Sequence, residues 1–210
     1  MRRLFLFAAA VALLLGLGAP APTAAQGNLL PPLRLITSAR FEHAALDDGR
    51  VVVVAQGYKE SRERFYLTVQ NFTTGNTTEV VLYDGRAWTR LNDEPEWRPA
   101  PPGAVRAIVP TADVLLLFDG PLAALGPTDV GGVSTEHYQI WGDGDIGDPQ
   151  EVGFTKVDFF VGPENRFLYQ LQLESTVPRR EGAGTRRLTI VVRFFDHNDP
   201  GLRVSPPAGG

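Results

Sequence analysis

Residues 157–174 have the sequence VDFFVGPENRFLYQLQLE, which predicts a complete β-hairpin. Two runs of alternating apolar residues flank GPEN at residues 162–165, and this mixture of Gly, Pro and Asn is typical of a turn between strands. The alternating apolar positions are Val157, Phe159, Val161, Phe167, Tyr169, Leu171 and Leu173. A period of two places these side chains on one face, so we expect one buried and one solvated face.

The same alternation recurs along most of the chain. It predicts further strands near residues 35–45, 51–58, 65–70, 79–83, 86–91, 133–141 and 188–196. Short turns separate several of them, for example DDG at residues 47–49 and DG at residues 84–85. Because strands joined by such turns form hairpins, we expect a mainly β (α+β) fold built on a largely antiparallel sheet that needs a cover on one face.

One segment departs from this pattern. Residues 109–118 read VPTADVLLLF, and Gly-Pro pairs follow at residues 120–121 and 126–127. Proline suits the first turn of a helix and Gly-Pro ends one, so we predict one or two short helices between residues 111 and 125. Their apolar side chains run nearly all the way round. Such a helix is buried on several sides, which fits a cover on the concave face of a curved sheet.

The N-terminus is typical of a secretory signal peptide. Arg2 and Arg3 precede an apolar run over residues 4–17, and small residues follow near residue 25, so we expect residues 1–25 to be cleaved off. The run is shorter than the ~20 residues that a bilayer span needs, which disfavours a membrane anchor. The chain has no cysteine, so it has neither a disulfide nor a site for a lipid anchor on cysteine. We therefore expect a soluble protein outside the cytoplasm.

Composition limits the domain count and the partners. Residues 26–210 are enough for one domain with a substantial core. They carry 18 basic and 24 acidic side chains, a formal charge of −6, which argues against nucleic acid or an anionic membrane surface as the main partner. Residues 200–210 show no periodic pattern and contain several prolines and glycines, so we expect a flexible tail there.

Residues that could carry catalysis or bind metal are scattered. His43, His137 and His197 lie far apart in sequence, and we interpret each as a strand or loop residue with a local hydrogen bond. No serine lies in a Gly-x-Ser-x-Gly motif. Asp143 and Asp145 lie in an acidic loop that lacks the remaining ligands of a helix-loop-helix calcium site. We therefore expect no enzymatic activity, no cofactor and no metal ion.

Three short motifs occur in an order known from one family. YDGRAWTR at residues 83–90 is followed by Trp97, VGGVSTEHY spans residues 130–138, and FFDHNDP at residues 194–200 precedes two prolines at residues 206–207. In this order they resemble the LolA-like lipoprotein carriers, in particular the LppX/LprG type. The first motif resembles the strand pair ahead of that family's helical cover, the second its Gly-Val-x-Thr-x-x-Tyr strand opening, and the third its closing strand and proline-ended tail.

The resemblance implies an antiparallel sheet curled into an unclosed half-barrel, with short helices covering the concave face and an apolar cavity for acyl chains. It also implies a carrier of lipid or of a lipidated protein in the periplasm or cell envelope, without catalysis, with an envelope membrane protein as donor or acceptor. Two features depart from the type. The lipidated cysteine is absent, and Pro31 and Pro32 lie where the long first helix of the family is expected.

Strand parity and the resemblance together nominate a set of lipid-binding residues. The set is Val53, Phe65, Leu67, Val69, Val81, Tyr83, Leu115, Leu116, Phe118, Leu122, Tyr138, Ile140, Phe159, Phe167, Tyr169, Leu171, Ile190 and Val192. These side chains form an ordinary core if sheet and helices pack closely, and they line a cavity if the two stand apart. Two functions remain open: a soluble lipid carrier, and an envelope sensor or protein-interaction module that uses the same half-barrel without lipid transport.

Overall fold

The structure is a computed structural model, which describes residues 33–106, 122–141, 155–179 and 184–208. The predicted signal peptide at residues 1–25, residues 109–121 and the acidic loop at residues 142–148 lie outside the described residues. The described part contains eleven strands and one short helix: β1 (Ala39–Asp47), β2 (Arg50–Ser61), β3 (Arg64–Asn71), β4 (Asn76–Tyr83), β5 (Arg86–Leu91), β6 (Arg98–Ala100), α1 (Pro102–Arg106), β7 (Leu122–Val130), β8 (Val133–Trp141), β9 (Lys156–Val161), β10 (Leu168–Pro178) and β11 (Thr185–Phe195).

All eleven strands belong to one antiparallel sheet that is not closed into a barrel. Their order is β6-β5-β4-β3-β2-β1-β11-β10-β9-β8-β7. The chain starts at the central strand and runs outward through hairpins to β6, then enters the opposite edge at β7 and returns to β11, which pairs with β1. The antiparallel sheet and its open half-barrel form confirm the predicted fold class.

One face of the sheet, called the inner face below, carries the larger apolar cluster. Its buried members are Ile36, Ala39, Phe41, Ala55, Phe65, Leu67, Val80, Leu82, Ala87, Val105, Ile140, Val157, Phe159, Val161, Leu168, Leu171, Leu173, Val192 and Phe194. They reach from β5 to β8, across nine adjacent strands. Because full burial of one large apolar side chain stabilises a fold by about 1.5–3 kcal/mol, this cluster is the main core of the described structure.

The opposite face, called the outer face, carries a smaller cluster of Val81, Trp88 and Val204. The backbone N–H of Val204 donates to Glu60 Oε2 at 3.0 Å, and Leu202 is buried as well. Part of the segment that we expected to be a flexible tail therefore packs on the sheet. The reason is that Leu202 and Val204, two residues apart, supply apolar anchors among the prolines and glycines of that segment.

The helical prediction for residues 111–125 is wrong at its C-terminal end, and residues 111–121 of it lie outside the described residues. Residues 122–125, which we expected to end a helix, belong to strand β7 and pair with β8. The helix among the described residues is α1, which begins at Pro102 and buries Val105 in the inner cluster beside β4 and β5. Proline at the start of a helix lacks only an N–H that would have no partner there, which explains why α1 begins at this residue.

Candidate binding face

The register of the strands aligns inner-face side chains into transverse rows, because directly paired residues of antiparallel strands share a face. The central row crosses ten strands, from β7 to β5, through Ala124, Tyr138, Phe159, Leu171, Val192, His43, Ala55, Val69, Thr78 and Leu91. The next row on one side runs through Leu122, Ile140, Val157, Leu173, Ile190, Ala45 and Val53. Both rows are apolar over most of their length, so the inner face offers a continuous apolar surface.

Eleven of the predicted lipid-binding residues lie together in the inner cluster or pack against it. They are Phe65, Leu67, Val69, Leu122, Tyr138, Ile140, Phe159, Phe167, Leu171, Ile190 and Val192. Val53 is buried on the same face, at the end of the second row. Their shared face follows from strand parity, whereas contact with lipid remains a prediction. Residues 115–118 of the predicted set lie outside the described residues.

The predicted set combines two kinds of position. Leu67, Phe159, Leu171 and Val192 are fully buried and stabilise the sheet itself. Five others are only half-buried, and these present surface that a ligand can contact: Val69, Leu122, Tyr138, Phe167 and Ile190.

Val81 and Tyr83 lie on the outer face and not with the rest of the predicted set. Both lie in the outer cluster, while Val80 and Leu82 face inward. The sequence VVLY of residues 80–83 is apolar at every position, so alternation could not decide its parity. The pairing of Val80 with Leu67 and of Leu82 with Phe65 decides it.

Tyr169 does not join the inner cluster either. The register of β10 against β9 shifts between Leu168 and Gln170, so Tyr169 is an extra residue at a β-bulge. Its ring contacts His197 edge-on at 4.7 Å, and its hydroxyl accepts a hydrogen bond from Asn165. The bulge brings Leu168 inward in its place, and a one-residue irregularity of this kind has no clear signal in an alternating sequence.

The histidine at the centre of the inner face is a residue whose setting the sequence did not predict. His43 pairs with Val192 on β11 and Ala55 on β2, so both neighbours in its row are apolar. Its side chain is buried, and neither ring nitrogen has a hydrogen-bond partner among the described residues. Burial lowers the pKa of His43 to about 4, so the imidazole is neutral at pH 7.

The other two histidines have the local hydrogen bonds that we expected. On the outer face, His137 Nε2 lies 2.9 Å from Asp158 Oδ1. Burial by itself would raise the pKa of Asp158, but hydrogen bonds from Gln139, His137 and Lys156 outweigh it and lower that pKa. His197 Nε2 lies 3.0 Å from the Leu168 carbonyl oxygen, and its ring stacks on Phe167.

Polar groups and pockets lie at the margins of the inner face. At the β8 side the Tyr138 hydroxyl donates a hydrogen bond to Glu136, and this bond is the main cause that raises the pKa of Tyr138. Glu136 also accepts a hydrogen bond from Arg166 at 3.1 Å.

A pocket of about 300 Å³ beside Tyr138 is lined by Ala124, Gly126, Pro127, Ser134, Thr135, Glu136, His137 and Pro163. A pocket of about 590 Å³ at the turn ends of β1–β2, β3–β4 and β10–β11 is lined by Asp47, Asp48, Arg50, Val51, Val52, Phe72, Thr73, Arg179 and Arg186. Its charged lining sets it apart from the apolar face.

No group of three His, Cys, Asp or Glu side chains in the described ranges is placed to hold a metal ion. Within those same ranges, no helix has the length and apolar composition needed to cross a membrane.

No protein-family model matches the sequence, and no curated protein matches it significantly. The fold does match solved structures. LprF from Mycobacterium bovis aligns with a TM-score of 0.53 at 10% identity, covering 82% of this chain and 90% of that chain. The lipoprotein LppX from Mycobacterium tuberculosis aligns with a TM-score of 0.45 at 13% identity, covering 81% and 90% of the two chains.

At such low identity the likeness to LprF shows the fold alone. The described part of the chain is an open antiparallel half-barrel with one apolar face. It shares this fold with LprF, in agreement with the half-barrel that the motifs predicted.

Proposed function

We propose that this chain is an exported carrier that binds the acyl chains of a lipid or of a lipidated protein on the inner face of its sheet. Its signal-peptide-like N-terminus supports export to the periplasm or cell envelope. An envelope membrane protein would then donate or accept the ligand.

The observation that carries the proposal is the continuity of the inner face. An apolar surface runs across nine adjacent strands of a sheet that does not close on itself, with half-buried side chains along its rows. Burial of an acyl chain on such a surface contributes about 0.8 kcal/mol per CH₂ group, so partial burial of one chain already gives useful affinity. Specific polar chemistry is not needed for this step.

Two neighbouring residues of β11 provide a matched test. Ile190 and Val191 are both half-buried, but Ile190 pairs with Ala45 and Leu173 on the inner face, whereas Val191 pairs with Ala44 and Gln172 on the outer face. A carboxylate at residue 190 would have to be desolvated against the bound chain. Ile190→Glu should weaken binding of a neutral pyrene-labelled fatty-acid methyl ester at least tenfold, and Val191→Glu should leave it unchanged.

Circular dichroism and thermal melting must show that both variants are folded. A folded Ile190→Glu protein with the wild-type dissociation constant for the ester would contradict the proposal, and so would equal losses in the two variants. Mass spectrometry of the gently purified wild type adds an independent check. It should find a mature N-terminus near Gln26 and a co-purifying lipid, whereas an uncleaved chain with a clean apo mass would count against an exported carrier.

A further inference from the structure

Among the described residues, His43 is a buried polar side chain that the fold by itself does not explain. It lies in the middle of β1, the central strand of the sheet, and only 7% of its surface is exposed. Among the described residues, neither Nδ1 nor Nε2 has a hydrogen-bond partner. Leaving buried polar groups unpaired costs free energy, and buried polar atoms in folded proteins nearly always have partners. A leucine would fill this position in the apolar row without that cost.

We propose that His43 hydrogen-bonds a neutral hydroxyl group of the bound lipid, so that the inner face selects an acyl lipid with a free hydroxyl over the same lipid without one. This inference rests on the proposed carrier function and names the chemistry of its ligand. The imidazole lies in the central apolar row, between Ala55 and Val192. Farther along this row the half-buried Val69 and Tyr138 lie on the two sides of His43, and acyl chains would contact them while the hydroxyl meets the ring.

The surroundings favour a neutral group over an anion. Burial keeps the imidazole neutral at pH 7, and a neutral imidazole has one N–H donor and one acceptor nitrogen. A hydroxyl matches both roles, whereas a carboxylate or phosphate only accepts and would bring an unpaired charge into an apolar site. The charged inner-face residues of β1, β2 and β11 among those described are Asp47, Arg50, Lys59 and Arg186, each two or more rows from His43. None of the four is placed to neutralise an anion beside His43.

The test compares matched neutral lipids that displace the pyrene-labelled ester from the full mature chain. One pair is a diacylglycerol and its methyl ether, which places the hydroxyl at the head of the lipid. The other is a saturated fatty-acid methyl ester with and without a mid-chain hydroxyl, which places it on the acyl chain. In the wild type, the hydroxyl-bearing member of at least one pair should bind about tenfold more tightly, the size of one buried hydrogen bond.

His43→Leu should abolish that preference and bind the lipids without a hydroxyl at least as tightly as the wild type. The variant should fold, because it replaces an unpaired buried polar group by an apolar one of similar size. His137→Gln is the control. It alters a histidine on the outer face but keeps a donor for Asp158, so the preference should persist.

Each outcome decides the matter. Loss of the preference in His43→Leu alone supports the assignment, and the pair that shows it tells whether the hydroxyl belongs to the head of the lipid or to its chain. A preference that persists in His43→Leu, or equal binding of both members of both pairs by the wild type, overturns the assignment while leaving the carrier function intact. If the wild type binds none of these lipids, the carrier function itself fails.

Discussion

His43 on the inner face of β1 and His137 on the outer face of β8 are both mid-strand histidines, but their surroundings differ. His137 lies 2.9 Å from Asp158, and that carboxylate also accepts from Gln139 at 2.6 Å and lies 3.0 Å from the Lys156 ammonium. His43 has apolar cross-strand neighbours and, in the described structure, no hydrogen-bond partner.

A second outer-face network shows that the contrast extends beyond the histidines. Glu79 accepts hydrogen bonds from the Tyr66 hydroxyl at 2.7 Å and from Arg90 Nε at 2.9 Å. The polar groups of these two outer-face networks therefore find hydrogen-bond partners within the fold. On the inner face the central polar group, His43, has no hydrogen-bond partner among the described residues. This arrangement is expected where a ligand supplies the missing partner.

The change expected to have the largest effect is one that disturbs both faces together. At Gly57 of β2 an added Cβ would lie 2.2 Å from the Tyr66 carbonyl oxygen and 2.7 Å from Leu67 Cα on β3. Backbone atoms cannot move aside without altering the pairing of these strands, and a one-residue slip would exchange inner and outer side chains. Gly57→Ala should therefore lower the free energy of unfolding by more than about 3 kcal/mol, measured by urea denaturation.

Gly103→Ala is the matched control for Gly57→Ala. An added Cβ at Gly103 in α1 has no neighbour within 4 Å, so the stability of this variant should stay close to that of the wild type. Similar urea midpoints for the two alanine variants would show that the close approach of β2 and β3 does not determine the register that separates inner from outer side chains.

A smaller loss is expected when the outer-face network alone is broken. Asp158 is buried, whereas the His137 and Lys156 side chains bound to it remain about one-fifth exposed. Asp158→Ala leaves these donors without their acceptor, but water can reach them in part, so we expect a loss of about 2 kcal/mol in the free energy of unfolding.

The lipid affinity of folded Asp158→Ala should match that of the wild type, because Asp158 faces away from the inner surface. A tenfold loss of binding to the pyrene-labelled ester would mean that the two faces are not independent. Asp84→Ala serves as the control for charge removal, since Asp84 forms an exposed ion pair with Arg64 and should affect stability less.

The sequence predicted the parts of the fold that depend on local alternation. Strands β5 and β8 have the bounds that their patterns indicated, and the hairpin of β9 and β10 buries the expected face. The order of the weak motifs was enough to identify the half-barrel. Parity failed where alternation was absent, as at Val81 and Tyr83, and where a bulge adds a residue, as at Tyr169.

The setting of His43 could not be predicted, because it depends on long-range register. HAAL at residues 43–46 looks like ordinary strand sequence. Only the pairing of β1 with both β2 and β11 shows that residue 43 falls in the middle of the apolar row. An unpaired buried polar group is a property of the assembled sheet rather than of any local motif.

The two faces should also differ in how pH affects stability. Gly57→Ala and Asp158→Ala are expected to destabilise the protein, whereas His43→Leu is expected to reduce its loss of stability at low pH. The pKa of His43 falls from its ordinary 6.5 to about 4 because burial disfavours the imidazolium. Between these values the unfolded chain binds a proton that the folded chain does not, so this residue makes the protein less stable as the pH falls from about 6.5 towards 4. Above that range the histidine is neutral in both states and adds no further pH dependence.

His43→Leu removes this linkage. Between pH 7.5 and pH 5 the wild type should lose about 2 kcal/mol more stability than the variant, as measured by urea denaturation at each pH. The pKa of His197 is also lowered, mainly by burial, but that residue is present in both proteins and its contribution cancels in the difference. Parallel stability curves for the two proteins over this range would mean that the pKa of His43 is the same in the folded and unfolded chains. His43 would then be hydrated or hydrogen-bonded in the folded protein, and the contrast between the two faces would be lost.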